Sequence, residues 1–252
     1  MLENNQGNNK LKLLFNKNKD LRYLYLIVVM IIAGASIFIP SFSRGQNITN
    51  LFNQMAPMGI VALGQTFAII TTGIDLSVGS VMSLATVITA TQLEPGNPMS
   101  LLIVYPLVLG SSLFIGSFNG FIISKFNLEP LIATLATGSI INGISLLILS
   151  HPGGFCPRLF TNVWLTEIGG IVPLSIIYFF LLILITYFVL NHTRFGRRVY
   201  AIGGDEEKAE IAGVNVDKVK IKVYMASSLL AGIAGLALAA RMRSGDPVSG
   251  ST

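Results

Sequence analysis

The carboxylate of Asp75 stands in the stretch TTGIDLSVGS (71–80), which is apolar on both sides. Two chemistries suit it. Gly73 follows an apolar run, where a helix end prefers a residue free to take left-handed geometry. Asp75 precedes LSVGSVMSLATVITA, where an N-cap carboxylate accepts backbone N–H bonds. An ionisable group within an apolar region equally fits a place on a solute path or gate. Uncharged polar side chains recur in the neighbouring apolar runs, foremost Gln54, Gln65, Asn119 and Asn142, with Thr66, Ser77, Ser80, Ser83, Thr134, Thr137 and Ser145. Most such residues hold membrane helices together by hydrogen bonds. Those that line a path would mix donors with acceptors, which suits a polyhydroxylated solute better than an ion. Gln54, Gln65, Asp75, Asn119 and Asn142 are the candidate path residues.

Other chemistries find no support. Cys156 is the one cysteine and has no internal disulfide partner, and His151 and His192 lack metal-ligand spacing. A G-x4-G-K-[ST] phosphate loop is missing, so a nucleotide must bind elsewhere. No catalytic residue, metal or cofactor is expected in this chain.

These groups must be positioned by membrane-spanning helices. Of 252 residues, 52% are hydrophobic and 12% charged, with a mean hydropathy of +0.69, too apolar for a soluble domain. Apolar runs near 22–40, 51–72, 77–93, 100–124, 130–149, 173–190 and 223–242 predict an all-α polytopic bundle of about seven transmembrane helices. The helix break at 73–76 then has to lie near an interface or be buried in protein, where its backbone groups find partners. The net charge of +5 is explained by topology and not by nucleic acid. Thirteen basic residues fall on the N-terminal side (Lys10, Lys12, Lys17, Lys19, Arg22, Lys125, Arg194, Arg197, Arg198, Lys208, Lys218, Lys220, Lys222), against four on the other (Arg44, Arg158, Arg241, Arg243). The positive-inside rule puts the N-terminus in the cytoplasm. Residues 1–21 read as a cytoplasmic basic segment and 22–252 as the transmembrane domain.

Two loops are long enough to hold structure. The outer one, SHPGGFCPRLFTNVWLTEIGG, carries Trp164, of a type that often rests at the membrane interface. The inner one, 191–222, holds GGDEEKAEIAGV. There Gly204 to Val214 predict a short helix with Asp205, Glu206 and Glu207 in its first turn and Gly213 at its end. Ala209 and Ala212 would share a small face, beside Ile211 and Val214 as apolar anchors. Gly116-x3-Gly120 and Ala231-x3-Gly235-x3-Ala239 offer faces for close helix approach. The closing RMRSGDPVSGST is small, polar and turn-like.

Three segments carry a family resemblance: GQTFAIITTGIDLSVGSVMSLATV (64–87), NGFIISKFNLEPLIATLATGSIINGISLLI (119–148) and TRFGRRVYAIGGDEEKAEIAGVNVDKVKI (193–221). They resemble the membrane permease subunits of bacterial ABC importers of the ribose, xylose, galactose and arabinose type. The resemblance implies a permease in the bacterial cytoplasmic (inner) membrane, working as a homodimer or heterodimer. It also implies a separate ATPase subunit that binds ATP and an extracytoplasmic sugar-binding protein. The ATPase-docking motif E-A-A-x3-G of such importers resembles Glu207, Lys208, Ala209 and Gly213, with Lys208 where the motif has its first Ala. The resemblance thus makes Gly204, Glu206, Glu207, Ala209, Glu210, Ala212 and Gly213 the coupling residues. Family members run on for several tens of residues with further Gly-rich spans, which implies a chain lacking the last few helices. The alternative is an ion-coupled secondary transporter of a small polar solute, which needs midplane carboxylates; Asp75 is the only acidic residue near a span interior apart from Glu129 at an inner end.

Overall fold

The computed structural model describes residues 19–250. The basic lead with Lys10, Lys12 and Lys17 lies outside the described residues. Ten helices follow in order: α1 Lys19–Phe38, α2 Gly45–Ile70, α3 Val78–Gln92, α4 Met99–Lys125, α5 Pro130–Ile148, α6 Arg158–Leu165, α7 Leu174–His192, α8 Arg194–Gly204, α9 Glu206–Ile211 and α10 Val216–Met242. A two-residue antiparallel pair, β1 Glu167–Ile168 and β2 Val172–Pro173, joins α6 to α7. Among the described residues, those up to Ile48 and those from Thr49 on form two compact units. The second unit holds the core and every candidate residue.

Each of the seven expected spans coincides with a helix, and among the described residues four are long and apolar enough to cross a membrane: α4, α5, α7 and α10. The apolar part of α1, Tyr25–Phe38, and α3 are shorter. At about 1.5 Å per residue, α3 covers roughly 22 Å, less than the ~30 Å hydrocarbon core. The α2 helix has the length, 26 residues, but Asn47, Asn50, Asn53, Gln54 and Gln65 dilute its apolar face.

The organising helix is α10, whose apolar window is 72% buried against 28% for α4, 33% for α5 and 22% for α7. Small residues let its neighbours approach. A Cβ on Gly116 would lie 2.4 Å from the Tyr224 carbonyl oxygen, and one on Gly120 would lie 2.5 Å from Ile221 Cα. On the other side, a Cβ on Gly235 would meet Ala85 Cβ at 2.5 Å. Both small-residue patterns seen in the sequence therefore face partner helices, where dispersion contacts between close backbones drive association in lipid. The α3 helix, buried along nearly its whole length, packs between α10, α4 and α5.

Connections gather at two opposite ends of the second unit. At one end, the α2–α3 break, the α4–α5 turn and the α9–α10 region line a common cavity. At the other, the α3–α4 turn meets the segment before α6, and Gly153 pairs with Gly245 through hydrogen bonds of 2.9 and 2.8 Å. Within this unit, connections that charge assigns to opposite sides lie at opposite ends.

The structure adds detail to two readings at the second of these ends. Trp164 is buried within the protein: its Nε1 donates to Tyr105 Oη at 3.3 Å and its ring meets Tyr178 edge-on at 5.3 Å. A ring so enclosed stabilises the α6–α7 corner through area burial and ring geometry. Residues 244–250 are turn-like, as the sequence reads, but they do not leave the bundle. They run back along α3, where Thr86 Oγ1 donates to the Asp246 carbonyl at 3.0 Å and Gly250 N–H donates to Ser83 Oγ at 2.8 Å. Non-helical backbone at such a place needs internal partners, and these α3 hydroxyls supply them.

Candidate functional site

The α2 helix ends at Ile70 in a Schellman closure: Thr72 N–H donates to the Ile69 carbonyl at 3.0 Å and Gly73 N–H to the Ala68 carbonyl at 2.9 Å. The left-handed residue is Thr72, with φ 58°, and not Gly73 as the sequence suggested. Gly73 is required for a different reason: a Cβ there would lie 2.5 Å from the Tyr224 hydroxyl. The chain then passes through Ile74, Asp75 and Leu76 before α3 begins.

Asp75 is fully buried and does not serve as the N-cap itself; Ser77 occupies that position without a side-chain cap bond. The carboxylate holds the turn that leads into the helix. Ser77 N–H donates to Asp75 Oδ1 at 3.0 Å, the Ser77 hydroxyl to the same oxygen at 2.6 Å, and the Ser227 hydroxyl of α10 to Oδ2 at 2.8 Å. Asn119 of α4 donates its Nδ2 to Ser77 Oγ at 2.9 Å. Gln65 of α2 bonds both ways with the Asp75 backbone, donating from Nε2 to the carbonyl and accepting the N–H at Oε1. Thr134 of α5 accepts Leu76 N–H at 3.0 Å. The break is therefore fastened to α2, α4, α5 and α10 by one side chain from each. A protein hydrogen bond contributes about 0.5–1.5 kcal/mol net and a buried partner left unpaired costs more, so this small network fixes how four helices meet.

Of the expected path residues, Gln65, Asp75 and Asn119 are brought together here. Gln54 is exposed on the first half of α2, and Asn142 lies on α5 away from the break, its Oδ1 buried and without a partner. Asn119 Oδ1 and Ser228 Oγ are likewise buried and unpartnered. Ser227, Ser228 and Tyr224 were not singled out in the sequence; their only signal was a Ser pair and a Tyr within an otherwise small, apolar helix.

The coupling segment departs from its expected shape. Residues 194–204 form the amphipathic α8, N-capped by Thr193. Gly204 is thus the last residue of α8 and does not open the next helix, α9, which is only six residues long. Asp205 caps α9 by accepting Lys208 N–H at 3.0 Å. Its carboxyl is held below the usual range by the Lys208 side chain, 2.8 Å away, and by that N–H. A second Schellman closure ends it, with Gly213 at φ 84°, Gly213 N–H on the Glu210 carbonyl and Val214 N–H on the Ala209 carbonyl. The acidic first turn, Glu206 and Glu207, suits the helix dipole.

Ala209 faces inward, 4% exposed, in a cluster with Phe67, Ala68, Val199, Ile202, Val216 and Val219. It is therefore not part of an outward small face. Glu207, Glu210, Ala212 and Gly213 are exposed, and Ile211 is 81% exposed. The segment presents a ridge of acidic residues and one large apolar side chain on a platform packed against α2 and α10.

The chain is thus a polytopic helical bundle with a buried, hydrogen-bonded helix break at one end and a short, solvent-facing helix beside it. Residues 47–252 match the family described as branched-chain amino acid transport system / permease component, and the chain belongs to that family. Among its relatives is the ribose import permease protein RbsC of Bacillus subtilis, 38% identical over 233 residues, spanning 90% of this chain and 70% of the relative. The protein of the same name from Haemophilus influenzae is 33% identical over 231 residues, 90% of this chain and 71% of the relative. The D-allose transport system permease protein AlsC of Escherichia coli is 31% identical over 229 residues, 90% and 69% respectively. No solved structure matches the chain.

Proposed function

We propose that this chain is the permease subunit of an ATP-driven importer that passes a ribose-like monosaccharide across the bacterial cytoplasmic membrane. A separate ATPase subunit binds and hydrolyses ATP, an extracytoplasmic binding protein delivers the sugar, and a second permease copy completes the path. Seven helices lie in the bilayer, of which α3 is too short to cross it fully, with the N-terminus and the α8–α9 platform in the cytoplasm. The observation that carries this reading is similarity over 90% of the chain to permeases named for ribose import and D-allose transport. Uncharged donors and acceptors around the break, in Gln65, Ser77, Asn119, Thr134 and Ser227, suit a polyhydroxylated solute.

The ATPase engages the exposed ridge of α9, with Ile211 as its apolar anchor and the groove of about 280 Å³ between Glu210 and Asp217 beside it. Ile211→Arg is the informative substitution, because Ile211 supports none of the chain's own core. It should leave membrane insertion and thermal stability unchanged while ATPase co-purification drops about tenfold, the size expected for loss of a central apolar anchor. Undiminished co-purification with normal uptake would place the docking site elsewhere.

A further inference from the structure

The coupling platform and the helix break touch directly. Gly203, near the end of α8, sits against the end of α2 so closely that a Cβ there would lie 1.9 Å from the Ile70 carbonyl oxygen. Phe195 of α8 stacks on Phe67 of α2 at 6.2 Å. Two ion pairs occur among the described residues. Lys208–Asp205 is local to α9 and largely exposed. Lys220–Glu206, at 2.6 Å, instead ties the first residue of α9 to α10, and its lysine side chain is only 18% exposed. Behind this pair lies a cavity of about 170 Å³, lined also by Thr71, Thr72 and Gly73 of the break and by Tyr224. Thr71 and Tyr224 are 5% and 2% exposed, so the inner wall of the cavity is covered in this conformation, whereas Thr72 at its mouth is exposed.

We infer that Glu206 and Lys220 form a latch that keeps the inner wall of this cavity covered and ties the movement of α9 to the opening of the break at Thr71–Gly73. The inference rests on α9 being the ATPase-facing segment. A single, partly exposed ion pair is strong enough to bias a closed state and weak enough to be broken by a partner pulling on α9. An alkyl-to-alkyl contact at the same place would lack the salt sensitivity that the pair must show.

The test uses the full chain carrying Thr71→Cys in inverted membrane vesicles, labelled with an impermeant maleimide. Cys156 adds little background, because burial pushes its thiol up to about 12 and leaves almost no thiolate near neutrality. The parent should label slowly, and faster at high salt. Lys220→Glu, which sets two carboxylates face to face, should raise the rate about fivefold, and the exchange Glu206→Lys with Lys220→Glu should return it to within about twofold of the parent. Lys220→Met gives the same reading without a new charge, should Lys220→Glu insert poorly. Unchanged labelling in both single variants, or an exchange that fails to restore closure, would overturn the latch. ATP-driven uptake is measured in parallel; a parent that labels as expected yet imports nothing would count against the transport reading and leave the latch standing.

Discussion

Gly116→Leu is expected to prevent α4 and α10 from docking and to cost most of the folded protein. The added side chain would start 2.4 Å from the Tyr224 carbonyl oxygen and 2.8 Å from Met225 Cα, both backbone atoms that cannot rotate away. Overpacking costs about 1–3 kcal/mol where side chains can yield; here the whole helix must shift, so about 3 kcal/mol is the lower end. Such a shift would also pull Ser227 from Asp75, since both contacts lie on the same stretch of α10. Gly110→Leu, on the same helix with nothing within 4 Å of an added Cβ, is the matched control. Size-exclusion profiles in detergent and the temperature of half-loss should separate the two, with Gly110→Leu close to the parent. Equal behaviour of both variants would mean that α4 and α10 are not packed through Gly116.

Asp75→Leu is expected to be as damaging and Asp75→Asn to be mild. Leucine strands three buried donors, the Ser77 N–H, the Ser77 hydroxyl and the Ser227 hydroxyl, at about 1–3 kcal/mol each. Asparagine keeps an oxygen for both Ser77 donors and offers its Nδ2 to Ser227 Oγ once that hydroxyl turns. It forfeits the charge and retains the geometry, at a cost of about 1 kcal/mol. Thermal stability in detergent reads the difference. If Asp75→Asn folds like the parent but stops uptake, the carboxylate charge itself acts on the solute path, the second role that the sequence allowed. If Asn and Leu unfold alike, the hydrogen-bond network around Asp75 does not hold the break.

The helices were legible because a long apolar run placed in lipid satisfies its own backbone N–H and C=O groups only by coiling into a helix, and every expected span falls on one. The break at 71–77 was legible too, since a carboxylate between glycines cannot continue an apolar helix. What failed was assignment of purpose to single residues. Gly73 looks like a helix-ending glycine, but its need arises from Tyr224, a residue about 150 positions away that no local rule consults. Ser227 was overlooked for the same reason: its partner Asp75 is 152 residues distant. Ala209 matched a docking motif by position, yet whether an alanine on a short helix faces out or in depends on the tertiary packing of α8 and α10 around it. Likewise Trp164 is an interfacial type by composition and a core residue by contact. Periodicity and capping report local structure; long-range pairing decides which side chains meet.

The central claim is that sugar crosses at the expense of ATP hydrolysed by a partner. The direct measurement is uptake of radiolabelled ribose into proteoliposomes holding the full chain, its ATPase and its binding protein, with and without ATP and with imposed ion gradients. The account predicts uptake that needs ATP, the ATPase and the binding protein together, and that is indifferent to proton or sodium gradients. Uptake by the chain alone, driven by an ion gradient and unaffected by removing ATP, would contradict it.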